Sequence, residues 1–135
     1  MTTEYQNLPD SLEKSDLEKY FNEFLSVYSG QPKDIKALKQ LYELAYRQWD
    51  TYEKLNEELL ERVSDYVMDA IDFNNFKVMD TILSIVENLT MKRVFDHIVQ
   101  NKDSVTLHSV KQLIEEAYEE YGDMSGDLFD DLDDW

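Results

Sequence analysis

The stretch Asn56–Ile71, NEELLERVSDYVMDAI, decides the fold. Its apolar side chains Leu59, Leu60, Val63, Tyr66, Val67, Ala70 and Ile71 return every three or four residues, which collects them on one face of a helix. Asn56 stands where a side-chain oxygen can accept from the amides of the first turn. On the C-terminal side the same pattern recurs three times. Asn74 or Asn75 is placed to cap a helix carrying Phe76, Met79, Ile82, Leu83 and Val86. Thr90 is read as the start of a short helix with Met91, Val94, Phe95, Ile98 and Val99. Ser104 is read as opening the last one, which runs through Val110, Leu113, Ile114, Ala117, Tyr118 and Tyr121 to Gly122.

These four helices read as a duplicated hairpin. At an offset of 32 residues Leu59 falls on Met91, Val63 on Phe95, Tyr66 on Ile98 and Val67 on Val99. In the second helix of each pair Val78 falls on Val110, Ile82 on Ile114, Ile85 on Ala117 and Val86 on Tyr118. Arg62 against Val94 and Thr81 against Leu113 break the match. Repetition of helical pairs predicts stacking, each pair burying its apolar face on its neighbour. Two pairs are too few for a stable stack, so the N-terminal region is expected to complete it. There Ser15-Asp16-Leu17-Glu18 reads as a capping box ahead of Leu17, Tyr20, Phe21, Phe24, Leu25 and Tyr28, closed by Ser29-Gly30 and Pro32. A second helix from Lys33 carries Ile35, Leu38, Leu41, Tyr42, Leu44, Ala45, Trp49 and Tyr52, a face wide enough to pack on two sides.

The expected fold is therefore all-α: a single domain of about six helices, stacked helical hairpins of the α-solenoid or HEAT-like kind with an N-terminal helical cap. The helical domain spans 1–122, with the cap over 10–55 and the two hairpins over 56–122. Residues 123–135 hold six Asp among thirteen positions and form an acidic, flexible tail by composition. Three glycines and two prolines in 135 residues favour long helices over a turn-rich β architecture.

Composition also removes whole classes of function. With no cysteine there is no disulfide, thiolate metal site or cysteine nucleophile. No apolar run is long enough for a bilayer, and Met1–Asp10 has neither the basic nor the apolar region of a secretory signal, so a cytoplasmic protein is expected. His97 and His108, the two histidines, fall on different helices, and no HExxH, phosphate-binding glycine loop or GxSxG elbow occurs. Asp65, Asp69 and Asp72 lie along one side of a helix and read as a solvated face rather than a cation site, because no second carboxylate cluster can be placed opposite them. The chain is read as a binding protein, not an enzyme, with no metal and no cofactor.

Charge is the dominant feature. Thirteen basic and thirty acidic residues give a net charge of −17, and no Lys or Arg follows Lys111. The last 21 residues carry ten of the acids: Glu115, Glu116, Glu119, Glu120, Asp123, Asp127, Asp130, Asp131, Asp133 and Asp134. Such a field repels nucleic acid and anionic membrane and accelerates encounter with basic proteins. Within the tail Leu128, Phe129, Leu132 and Trp135 would share one side of a helical turn, with Phe129 and Trp135 as apolar anchors for a partner. Tyr42, Tyr46 and Trp49, at i, i+4 and i+7, are either interface anchors or packing between the cap and the body.

The region from about Asn56 to Asp123, roughly half the chain, resembles the small acidic helical-repeat immunity proteins of bacterial polymorphic, LXG-type toxin systems. The resemblance lies in LERVSDYV (Leu60–Val67), in the helical pair that follows, and in IEEAYEEYGD (Ile114–Asp123). It implies a protein that binds and blocks one cognate toxin, and it transfers no contact residue. The electrostatics fit a basic partner such as a nuclease, occluded at its active or nucleic-acid-binding surface. The partner-binding residues expected are Glu115, Glu116, Glu119 and Glu120, the tail aspartates, Phe129 and Trp135. Two other readings remain at this stage: a phage or mobile-element mimic of nucleic acid, and an adaptor recruiting a partner through its acidic-aromatic tail.

Overall fold

The computed structural model describes residues 5–9, 12–51 and 53–121. The protein is all-α, and among these residues there is no strand. Six helices follow in order: α1 (Lys14–Tyr28), α2 (Ile35–Asp50), α3 (Glu57–Ala70), α4 (Phe76–Leu89), α5 (Lys92–Gln100) and α6 (His108–Tyr121). Short 3-10 turns at Tyr5–Asn7 and Lys102–Ser104 complete the regular structure. Helices α1, α3 and α5 lie side by side in one row and α2, α4 and α6 in a second. Each helix of the first row also packs on its successor in the second. The result is three stacked hairpins, with α4 and α6 separated by the 32-residue repeat at both ends.

Local chemistry explains most of the boundaries. Asp34, Asn56 and Asn75 hold non-helical backbone, and their side chains accept from the amides of Ala37, Leu59 and Val78 at 3.1, 3.2 and 3.2 Å. Asn74 is not the cap of α4. Its amide instead donates to Asp72 Oδ1 at 3.0 Å, tightening the preceding turn. Three starts differ from the expected ones. Helix α1 begins at Lys14, with Glu13 extended before it, so Ser15 lies inside the first turn and the capping box does not form. Ser104 sits in the 3-10 turn, and α6 starts at His108, where the Leu107 carbonyl accepts from Val110 and Lys111. Thr90 ends α4 rather than starting α5. Its backbone is left-handed (φ 52°, ψ 54°), and Met91 N–H donates to the Val86 carbonyl at 3.0 Å. That bond closes a Schellman turn, which demands the conformation although a β-branched residue is strained in it.

The core runs the length of the stack. Helix α4 is its centre: Val78, Met79, Ile82, Leu83, Ile85, Val86 and Leu89 are all buried, because α2 lies on one side and α6 on the other. The first row, besides its buried side chains, is joined by polar contacts at its surface. Arg62 Nη1 donates to Asn22 Oδ1 at 2.9 Å between α3 and α1, and Arg93 Nη2 to Asp65 Oδ1 at 2.7 Å between α5 and α3. These exposed pairs set register and contribute little energy.

The N-terminal segment is bolted on by Arg47 of α2, which is 1% exposed. Its guanidinium donates to the Pro9 carbonyl from Nε and to the Leu8 carbonyl from Nη2, both at 2.8 Å, and to the Glu43 carbonyl from Nη1 at 2.7 Å. Tyr5, fully buried, adds a second bolt: its amide donates to Gln40 Oε1 and its hydroxyl to Glu23 Oε1, each at 2.9 Å. Replacing Arg47 by Ala removes three hydrogen bonds and a buried side chain at once and is expected to cost about 2–4 kcal/mol. Arg47→Lys should lose most of that, since one ammonium cannot serve carbonyls lying in three directions. Urea unfolding measures the loss, and faster amide exchange confined to residues 5–12 and their partners would locate it.

Tyr66 makes an opposite case. It is buried, with its ring edge-on to Phe24 at 5.0 Å, and its hydroxyl has no hydrogen-bond partner. Burial, and then the nearby Asp34 carboxylate, push its pKa up from 10.0 to about 12. Burial and the bond to Glu23 raise that of Tyr5 still further. Both tyrosines hold their protons more tightly folded than unfolded. Their contribution to stability is therefore complete below pH 10 and falls as pH rises through about 12. Tyr66→Phe is expected to raise stability by about 1 kcal/mol at neutral pH and to weaken the alkaline loss; thermal melts of both proteins from about pH 8 to about pH 12 check both signs.

Candidate partner-binding face

Helix α6 closes the second row. Val110, Ile114 and Ala117 are buried and half-buried Leu113 packs beside them, a stripe that holds the helix to α4 and α5. Among the described residues the rest of its surface is exposed or half-buried. At the repeat offset, the buried Met79, Leu83 and Val86 of α4 correspond to Lys111, Glu115 and Tyr118 of α6. Glu115 is exposed, Tyr118 is 47% exposed and Lys111 is half-buried. Positions that are buried in α4 are thus half-buried or exposed in α6.

The four glutamates expected to contact a partner are brought together on this helix. Glu115, Glu116, Glu119 and Glu120 are all exposed. Among the described residues none of them meets a lysine or arginine within ion-pair distance; the polar contact given to the group is Gln112 Nε2 donating to Glu116 Oε1 at 3.4 Å. The first row behaves differently, because Arg93 there lies 2.7 Å from Asp65 and 3.5 Å from Glu61.

Local energetics oppose this arrangement. Glu115 with Glu119 and Glu116 with Glu120 are like-charged i, i+4 pairs. They occupy the final two turns, where the helix dipole favours cations, and no basic residue stands in the last turn. Tyr118 lies in their midst. Sequence reasoning had put it in the apolar stripe, because periodicity reports a face and not whether a neighbour covers it.

The other expected contact residues, Asp123, Asp127, Phe129, Asp130, Asp131, Asp133, Asp134 and Trp135, lie outside the described residues, as does Gly122. Of the aspartate ladder, Asp65 is bound by Arg93 and Asp72 accepts from Asn74, while Asp69 borders a cleft of about 330 Å³ with Lys33, Arg62 and Tyr66. Among the described residues no three His, Cys, Asp or Glu side chains are grouped so as to hold a metal ion. His97 lines a groove of about 630 Å³ between α3 and α5, and His108 is exposed at the start of α6. Tyr42 stacks on Tyr46 (ring centroids 5.9 Å), and Trp49 is 37% exposed. No helix of the described residues is long and apolar enough to cross a membrane.

No family model matches the chain, and no curated protein or solved structure is significantly similar to it. If the glutamate cluster strains its own helix, reversing two of its charges should relieve it. The Glu119→Lys, Glu120→Lys double variant is expected to gain about 0.5–1 kcal/mol from new i, i+4 pairs and the dipole. Urea titration at low ionic strength reads this, and a loss of stability would contradict the account.

Proposed function

We propose that this protein is a stoichiometric inhibitor of a basic protein, most concretely an immunity protein that neutralises a cognate bacterial toxin by covering its active or nucleic-acid-binding surface. The observation that carries the reading is the α6 face: exposed carboxylates without cationic partners among the described residues, placed where the helix itself would favour lysine or arginine. A folded protein keeps such a local conflict where another molecule resolves it. Enzymes that bind polyanions concentrate lysine and arginine in a cleft, so a rigid row of carboxylates is complementary to them in sign and spacing. Tyr118 supplies an amphipathic contact within that row. The tail aspartates with Phe129 and Trp135 extend the acidic surface in sequence, and their contribution is part of the proposal.

Capture from a lysate of the source cells at low and high salt identifies the partner. The purified pair then tests the reading. Wild type should bind one basic protein in a salt-sensitive 1:1 complex and suppress its activity. Reversal of Glu115, Glu116, Glu119 and Glu120 to Lys should slow association by about two orders of magnitude at low ionic strength. Full inhibition by the reversed variant, or a captured partner without a basic surface, removes the proposal.

A further inference from the structure

The acidic α6 helix is one edge of a broader surface. Helix periodicity puts Asp80 and Ser84 of α4 on the solvent side of the second row, and the repeat offset places Gln112 and Glu116 of α6 on that same side. Beyond α4 the surface continues to α2, where a cleft of about 400 Å³ opens between the two helices, lined by Lys39, Tyr42, Glu43, Asp80, Thr81 and Ser84. Resting on the function proposed above, we infer that this cleft receives an arginine side chain of the same basic partner, its guanidinium lying on the Tyr42 ring and hydrogen-bonded to the Asp80 carboxylate.

Three features make the cleft fit that chemistry. Tyr42 is half-buried and its ring is stacked on Tyr46 at an interplanar angle of 30°, so the aromatic wall is held in place before anything binds. The opposite wall is short. The Thr81 and Ser84 hydroxyls donate to the backbone carbonyls of Lys77 and Asp80 at 2.9 and 3.1 Å, which turns them down onto their own helix and keeps the cleft open. Asp80 is exposed and meets no cation within ion-pair distance among the described residues. The neighbouring ring already shows the contact in question, for the Arg47 guanidinium lies 4.7 Å from the Tyr46 centroid. A planar, weakly hydrated guanidinium suits stacking and a two-point bond to a carboxylate; a lysine ammonium meets a ring only as a point charge, as Lys33 does over Tyr66 at 5.2 Å, and cannot make the two-point bond. Lys39 at the rim carries the same sign as the incoming group and weakens its binding.

Short oligoarginine and oligolysine peptides of equal length are the probes, titrated into the full chain at low salt and followed by calorimetry and amide NMR. The expected result is that oligoarginine binds about tenfold tighter than oligolysine and shifts the amides of Tyr42, Asp80 and Thr81 as well as those of α6. Asp80→Asn and Tyr42→Leu, the latter retaining apolar bulk, should each cut oligoarginine affinity about five- to tenfold and leave oligolysine nearly unchanged; Lys39→Ala should strengthen oligoarginine binding. Equal affinities with shifts confined to α6 overturn the arginine cleft while leaving the acidic-face function standing. Absence of binding by either peptide overturns both.

Discussion

Helix α4 is buried from two directions, and the rest of the molecule is arranged to satisfy it. Its seven buried apolar side chains form a broad face that more than one partner helix covers. The chain meets this by supplying α2 on one side and α6 on the other, and by stacking α1, α3 and α5 behind them. Both rows bury apolar side chains, and Arg62 and Arg93 add polar ties at the surface of the first row. On α6, in the second row, the exposed glutamates meet no lysine or arginine within ion-pair distance among the described residues.

Much of this was legible in the sequence because it is local. The 32-residue repeat, the apolar stripes of α3 to α6, and the caps at Asn56 and Asn75 follow from spacing and side-chain chemistry alone. What escaped was set by distant contacts or by backbone geometry. The strap over residues 5–9 depends on Arg47, 38 residues from Pro9, and an arginine inside an amphipathic stripe gives no sign that it will be buried. Thr90 has the composition of a helix start, yet the Schellman bond from Met91 to Val86 forces it to be a helix end. Ser15 and Glu18 have the right spacing for a capping box, but the helix propagates past them to Lys14.

The candidate site was half legible for the same reason. Charge counting located the glutamates of α6, and helix geometry placed them on one surface. Periodicity places Tyr118 in the apolar stripe of α6, yet it is 47% exposed where its repeat counterpart Val86 is buried; the difference is the absence of a following helix among the described residues, which no pattern in α6 itself announces. The α2–α4 cleft required both helices to be in place before Tyr42 and Asp80 became neighbours, since they are far apart in sequence and join only through packing.

Lys111, Glu115 and Tyr118 stand where the repeat would otherwise present methionine, leucine and valine. Helical-repeat arrays lengthen by docking one more unit on an uncovered greasy flank, and fibres arise when identical molecules do the same to each other. Among the described residues that flank of α6 carries a half-buried lysine, an exposed glutamate and a half-exposed tyrosine, so a further copy approaching it must strip water from charged groups and gains less apolar contact in return. Docking there would therefore be weaker than the packing of α6 on α4, and three substituted positions make the difference.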